Sequence, residues 1–311
     1  MPFLNNHDQA IRKRSGTDAR PRSVWVLLVA SSFLISSQAS AQRQFDQQTG
    51  AAGASQSAAG TKKKADEFRP SFPVMVQMGA SSNLYPIGST DHSASLDLTL
   101  IPTYRFHPDW STSLILAGSK ELTDWGRFSL DRTDIAFGWR GRELNPYLRV
   151  SGNAAVILPF ASERLVWESL LFGVRGGGRL GLNLHRLGVS FLSFGYEPSF
   201  ARFFHTYTTN ISGMPNPAFS VVQRVTTDIQ LSSNWSAQVA VLASNAWTYG
   251  GTQADRFRVD GMIDYQVKTN VSISAGVATS GAQLRANGVD PNLAVFNPEI
   301  SIVWASVGVS L

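Results

Sequence analysis

Residues 219–231 read FSVVQRVTTDIQL, and this stretch limits the possible folds more than any other. Alternate positions give Phe219, Val221, Gln223, Val225, Thr227, Ile229 and Leu231. The positions between give Ser220, Val222, Arg224, Thr226, Asp228 and Gln230. Side chains alternate faces along a strand, so one wall is largely apolar and the other carries charge. The pattern lasts thirteen residues, longer than most soluble strands and enough to cross a bilayer at a tilt. It predicts a membrane-spanning β-strand.

The pattern returns along the chain. Strands are predicted at 72–83, 94–106, 110–119, 127–140, 145–158, 168–184, 186–198, 218–232, 235–248, 256–267, 270–280 and 299–311. The connectors alternate in kind. Short polar turns follow the even strands, at 107–109, 141–144, near His185, at 233–234 and at 268–269. Longer loops follow the odd ones, notably 199–217 and 281–298. In lipid every backbone polar group needs a partner, so strands can span only as a closed barrel. The expected fold is therefore all-β: a transmembrane antiparallel up-and-down barrel of about twelve strands over 72–311. Its lipid face should include Leu96, Leu98, Leu100, Val239, Val241 and Ile263.

Aromatic residues mark both ends of the strands. Tyr104, Phe106, Trp110, Trp139, Trp235 and Tyr265 lie toward the short turns. Phe160, Trp167, Trp247 and Tyr249 lie toward the long loops. Two belts of amphipathic rings are expected at the two headgroup layers.

Composition agrees with this reading. Charged residues make up 16% of the chain, against an average near ~25%. There is no cysteine, which removes disulfides, thiolate chemistry and Cys-ligated zinc. The net charge of +5 invites a nucleic-acid reading, but much of it sits at the N-terminus. Beyond residue 41 the chain has 22 bases against 20 acids, with no basic stripe to serve as a phosphate footprint.

Residues 1–41 read as a secretory signal peptide. A basic region from Arg12 to Arg22 precedes an apolar run at 24–35. Ala39-Ser40-Ala41 then supplies the small-x-small cleavage pattern, with Ala39 and Ala41 as the recognised pair. The apolar run is too short to span as a helix. Residues 42–71 form a polar Gln/Ala/Gly/Ser tract that includes Lys62-Lys63-Lys64, read as a disordered periplasmic leader. A plug or a cell-wall tether is the alternative for this tract.

Signal, leader, long alternating strands and a last strand ending Val303, Ala305, Val307, Val309, Leu311 together resemble bacterial outer-membrane β-barrel proteins. The likeness lies in the architecture and singles out no one family. It implies an outer-membrane location, contact with outer-membrane lipid and insertion by the barrel-assembly machinery. Such proteins usually end in an aromatic residue, whereas this chain ends in Leu311.

The residues offer little to an enzyme. Outer-membrane lipases resemble one another in placing His and Ser two apart on one strand, so that the imidazole can take the hydroxyl proton. Here His92 and Ser93 are adjacent, and the residue two after His205 is Tyr207. Omptin-type proteases need converging acidic and His pairs at the rim, and only the adjacent Asp91-His92 is available. The five histidines have no metal-ligand spacing, so no metal and no cofactor is expected.

The lumen remains. The polar parity places Arg105, Arg149, Arg175, Arg179, Arg224, Arg258, Asp97, Asp134, Asp228, Asp260 and Asp264 inward, with Lys268 at a strand end. Ionisable groups at bilayer depth face protein or water. These residues either line an aqueous pore for small polar or anionic solutes, or pair across the lumen and close it. The closed alternative leaves a structural or surface-interaction barrel acting through its outer loops. Arg175 and Arg179, separated by three glycines, are the expected anion-selective pair.

Overall fold

The computed structural model describes residues 68–311 except 88, 124–127, 161–166, 183, 185–187, 284–295 and 298–299. The signal peptide with Ala39 and Ala41, the leader up to residue 67, and His185 lie outside the described residues. Twelve strands form a closed barrel. They are β1 Val74–Asn83, β2 Ala94–Arg105, β3 Trp110–Glu121, β4 Phe128–Asn145, β5 Leu148–Ile157 and β6 Leu170–Leu182. The rest are β7 Leu192–His205, β8 Pro217–Gln230, β9 Trp235–Thr248, β10 Gln253–Lys268, β11 Val271–Ala282 and β12 Ser301–Ser310. Each strand pairs antiparallel with its neighbour in sequence. β12 returns to β1 over the register Met75–Ser310 to Asn83–Ile302, so no edge is left unpaired.

The alternation sorts side chains as the sequence predicts. On β9 the outward Val241 is 48% exposed while its inward neighbour Ala240 is 1% exposed. On β2, Leu98 and Thr99 divide in the same way, at 44% and 4%. Leu96, Val239 and Ile263 are also exposed, and Leu100 is half-buried. Aromatic pairs bracket the apolar band. At the short-turn end, the Trp110 and Trp139 rings lie 6.3 Å apart, and those of Trp235 and Tyr265 lie 4.6 Å apart. At the other end Phe219 stacks on Trp247 at 4.7 Å, and Phe172 on Phe204 at 4.6 Å.

Strand boundaries differ from the sequence reading most clearly in β4, β7 and β10. The turn expected at 141–144 is strand: β4 runs on to Asn145 and turns at Pro146-Tyr147. Two register shifts accommodate the extension, with Gly141 at φ +88° inside the first. A Cβ on Gly141 would lie 1.9 Å from the Val150 carbonyl oxygen, so the irregular strand needs a glycine there. β7 begins at Leu192 rather than 186 and extends to His205, which shortens the following outer loop to 206–216. Pro198 lies within β7 and the strand passes through it, although proline marks a strand end by propensity. β10 starts three residues earlier than expected, at Gln253.

The polar segment before β1 joins the wall at its last residues. Ser71 and Arg105 exchange backbone hydrogen bonds of 3.3 and 2.9 Å. Leu311 pairs with Val74 at 3.1 and 2.8 Å, so the described N-terminal end and the C-terminus both sit at the short-turn end.

Candidate functional site: an eccentric lumen

The interior divides lengthwise. Beneath β10–β12 and β1–β3 it is filled by side chains. Met75, Ile101 and Ile115 form a buried cluster with Ala136 against it. Trp304 lies over Gly276, where a Cβ would come within 2.7 Å of the indole and 2.5 Å of the Gly261 carbonyl oxygen. Beneath β4–β9 the inward positions are small, including Ser151, Gly177, Ser199, Ser220 and Ser244, and a cavity of about 850 Å³ opens there. Its lining reaches the short-turn residues His107, Pro108, Asp109, Asn145 and Pro146. Gly177 leaves the wall without a side chain there, and a Cβ would meet Ser199 at 3.0 Å, the Pro198 carbonyl oxygen at 3.1 Å and Asn153 at 3.3 Å.

Seven arginines and five carboxylates line the cavity. Of the residues expected in the lumen, Arg105, Arg149, Arg175, Arg179, Arg224, Asp134 and Asp228 do so. Asp97, Arg258, Asp260 and Asp264 have inward parity but stand against the filled half. Asp97 lies between Gly79 and Ser119 in the register. Arg258 Nε donates to Asp260 Oδ1 at 2.7 Å with the arginine 2% exposed, and Asp264 accepts from Ser274 Oγ at 2.5 Å. Lys268 ends β10 at a register shift, exposed.

Deep in the cavity, charges pair. Asp134, 1% exposed, forms ion pairs with both Arg132 and Arg175, the latter at 3.0 Å. Arg179 lies 3.3 Å from Glu197 and 3.7 Å from Asp228. Asp228 also accepts from Gln238 at 2.6 Å and Ser193 at 3.2 Å. Arg224 stands opposite Glu197 in the register, with its Nε buried and unbonded. Arg175 and Arg179, the expected anion-selective pair, are both held by carboxylates, which is the paired alternative for the lumen charges.

The inner mouth is different. Arg105, Arg140 and Arg149 line the cavity there, and among the described residues none has a carboxylate within ion-pair distance. Arg149 Nη2 donates to the Arg140 carbonyl oxygen at 3.1 Å. The nearby acids, Glu143 opposite Arg149 in the register and Asp109 in the β2–β3 turn, make no ion pair with them. Among the described residues, positive charge without a protein counter-ion thus sits at the short-turn mouth.

Arg132, Arg140 and Glu197 were missed as lumen groups. Arg132 and Arg140 share the parity of Asp134, a signal available in the sequence. Glu197 lay one residue from the expected end of its strand.

At the outer end three segments are tied together. Asn216, 1% exposed, donates through Nδ2 to the Glu168 and Tyr207 carbonyl oxygens at 2.8 and 2.9 Å. Tyr249 N donates to Asn216 O at 3.0 Å, and Tyr249 Oη to Phe203 O at 2.7 Å. The His205 imidazole is fully buried, 3.8 Å from Glu168 and edge-on to Tyr249. The cavity lining stops below these segments, at Ile157 and Phe203.

The rim also joins Ser82 and His92, with Oγ 3.2 Å from Nε2, a contact invisible to spacing along one strand. The hydroxyl donates to the Asn83 carbonyl oxygen at 2.9 Å. Among the described residues no group of three or more His, Asp or Glu side chains could hold a metal ion.

No protein-family model and no curated protein matches this sequence. Solved structures do. An outer-membrane channel from Pseudomonas putida F1 aligns with TM-score 0.53 at 10% identity, covering 81% of this chain and 100% of its own. The NanC porin aligns with TM-score 0.48 at 12% identity over 76% of this chain and 98% of that one. The KdgM porin aligns with TM-score 0.44 at 9% identity, over 76% and 99%. At 10% identity the likeness to the Pseudomonas putida channel carries the fold alone, a barrel of the outer-membrane type.

Proposed function

We propose that this protein is an outer-membrane channel for small polar solutes, with a preference for anions. The observation that carries the reading is the cavity of about 850 Å³ that reaches the inner turns, with Arg105, Arg140 and Arg149 uncompensated at its mouth. Uncompensated cations in a low-dielectric cleft raise the local concentration of anions, most strongly at low salt. Deeper pairs such as Arg179–Glu197 offer donors and acceptors in alternation, suited to hydrated polar solutes rather than to one bare ion. Conductance of the refolded barrel in a planar bilayer tests this. Discrete channels are expected, and a barrel that inserts but passes no current would sink the reading.

A second reading has its own support, in the linked outer segments around Asn216. If that cap stays closed, the barrel acts through its outer surface instead. Shortening 206–216 separates the two: conductance rises if these residues form a gate and stays at zero if the lumen is shut throughout.

A further inference from the structure

The outward faces of β6–β9 carry one charged side chain, Arg202. Its neighbours along β7, Ala201 and Phe203, line the cavity, so Arg202 points to the lipid side. Its register partners are outward-facing too: Phe219 on β8 and Val174 on β6. It lies within the outer aromatic belt, beside the Phe219–Trp247 and Phe172–Phe204 stacks. Its guanidinium carbon is 5.6 Å from the Phe204 ring centroid and 5.5 Å from that of Tyr249, and Nη1 donates to the Ala218 carbonyl oxygen at 3.3 Å. Among the described residues these are its partners.

A guanidinium has five N–H donors, and one is used here. Arginine at membrane depth is costly unless it meets water or an anion, and it can extend toward the headgroup layer. Two rings within 5.6 Å of its guanidinium carbon limit its freedom, and its planar fork suits a tetrahedral oxyanion. We propose that Arg202, with Phe204 and Tyr249 as its clamp, binds a phosphate of a glycolipid in the outer leaflet. The site is independent of the channel reading, since it lies on the other side of the wall.

The test uses the mature chain, folded and purified in detergent, with native mass spectrometry. The probes are a bis-phosphorylated lipid A and the same lipid stripped of its phosphates. The wild type should retain the phosphorylated lipid and discriminate against the stripped one. Arg202→Gln should weaken retention by roughly tenfold or more, the loss of a charge-assisted bidentate contact. Arg142→Gln, at the opposite end of the wall, should change nothing. Equal retention of the two lipids by the wild type would overturn the proposal, as would unchanged binding in Arg202→Gln. Displacement of the lipid by millimolar inorganic phosphate would also overturn it, by making the site one for free anions. Should Arg202→Gln fail to fold, Arg202→Lys keeps the charge without the fork. It should bind more weakly than the wild type, and equal binding would count against the assignment.

Discussion

The two halves of the barrel obey one alternation and end up with opposite interiors. Beneath β4–β9, inward Ser151, Gly177, Ser199 and Ser244 leave about 850 Å³ open. Beneath β10–β12 and β1–β3, inward Met75, Ile101, Ile115 and Trp304 occupy the corresponding space. Charge does not separate them, because both halves carry ion pairs, Arg175–Asp134 in one and Arg258–Asp260 in the other. Side-chain volume does. The position of a pore in a barrel this narrow is set by which inward residues are small.

The largest effect should come from the hub of the open half. Asp134→Ala leaves Arg132 and Arg175 without their shared carboxylate, at a cost of about 3–5 kcal/mol in denaturant unfolding from lipid vesicles. A cost near zero would mean that water already compensates these arginines. Next comes the wall itself. Val241→Arg should cost ~2–4 kcal/mol at mid-bilayer, whereas Ser244→Arg, facing the cavity, should cost much less. An inward position is a tolerant control only where it lines the cavity, as Ser244 does and Thr99 and Ala240 do not. Thr99 and Ala240, also inward, are buried and leave no room for an arginine.

A finer contrast uses two glycines. Gly276→Ala drives a methyl group into Trp304 and the Gly261 backbone, and should destabilise by about 1–3 kcal/mol. Gly177→Ala asks Ser199 and the Pro198 carbonyl oxygen to give by a few tenths of an ångström and should cost less, on the order of 1 kcal/mol. Equal costs would erase the packed-versus-open distinction. The smallest expected change in stability is at the mouth. Arg149→Gln removes one bond to a carbonyl oxygen, so the fold should hold while ion selectivity moves toward cations in reversal-potential measurements.

Strands were legible because alternation is local: each two-residue repeat reports its own face. The irregular end of β4 was not, since a bulge is defined by its partner strand. The ion pairs were harder still. Arg175 and Asp134 are 41 residues apart and on strands that are not neighbours, so parity gives their direction but not their meeting. That is why the sequence leaves open whether Arg175 and Arg179 are solvated or paired, although parity already turns Arg140 to the same face as Asp134. The filled half was hidden for a related reason. Ile101 and Trp304 look like wall residues until closure shows which face they take.

The central claim is that selectivity belongs to the uncompensated arginines at the inner mouth and not to the paired ones below. Reversal potentials under a salt gradient, measured on single channels of the wild type, Arg105→Gln/Arg140→Gln/Arg149→Gln and Arg175→Gln, test it directly. The account predicts an anion-selective wild type, loss of that selectivity in the triple variant at unchanged gel mobility, and a much smaller shift in Arg175→Gln. Anion selectivity that survives the triple variant but disappears with Arg175→Gln would contradict it.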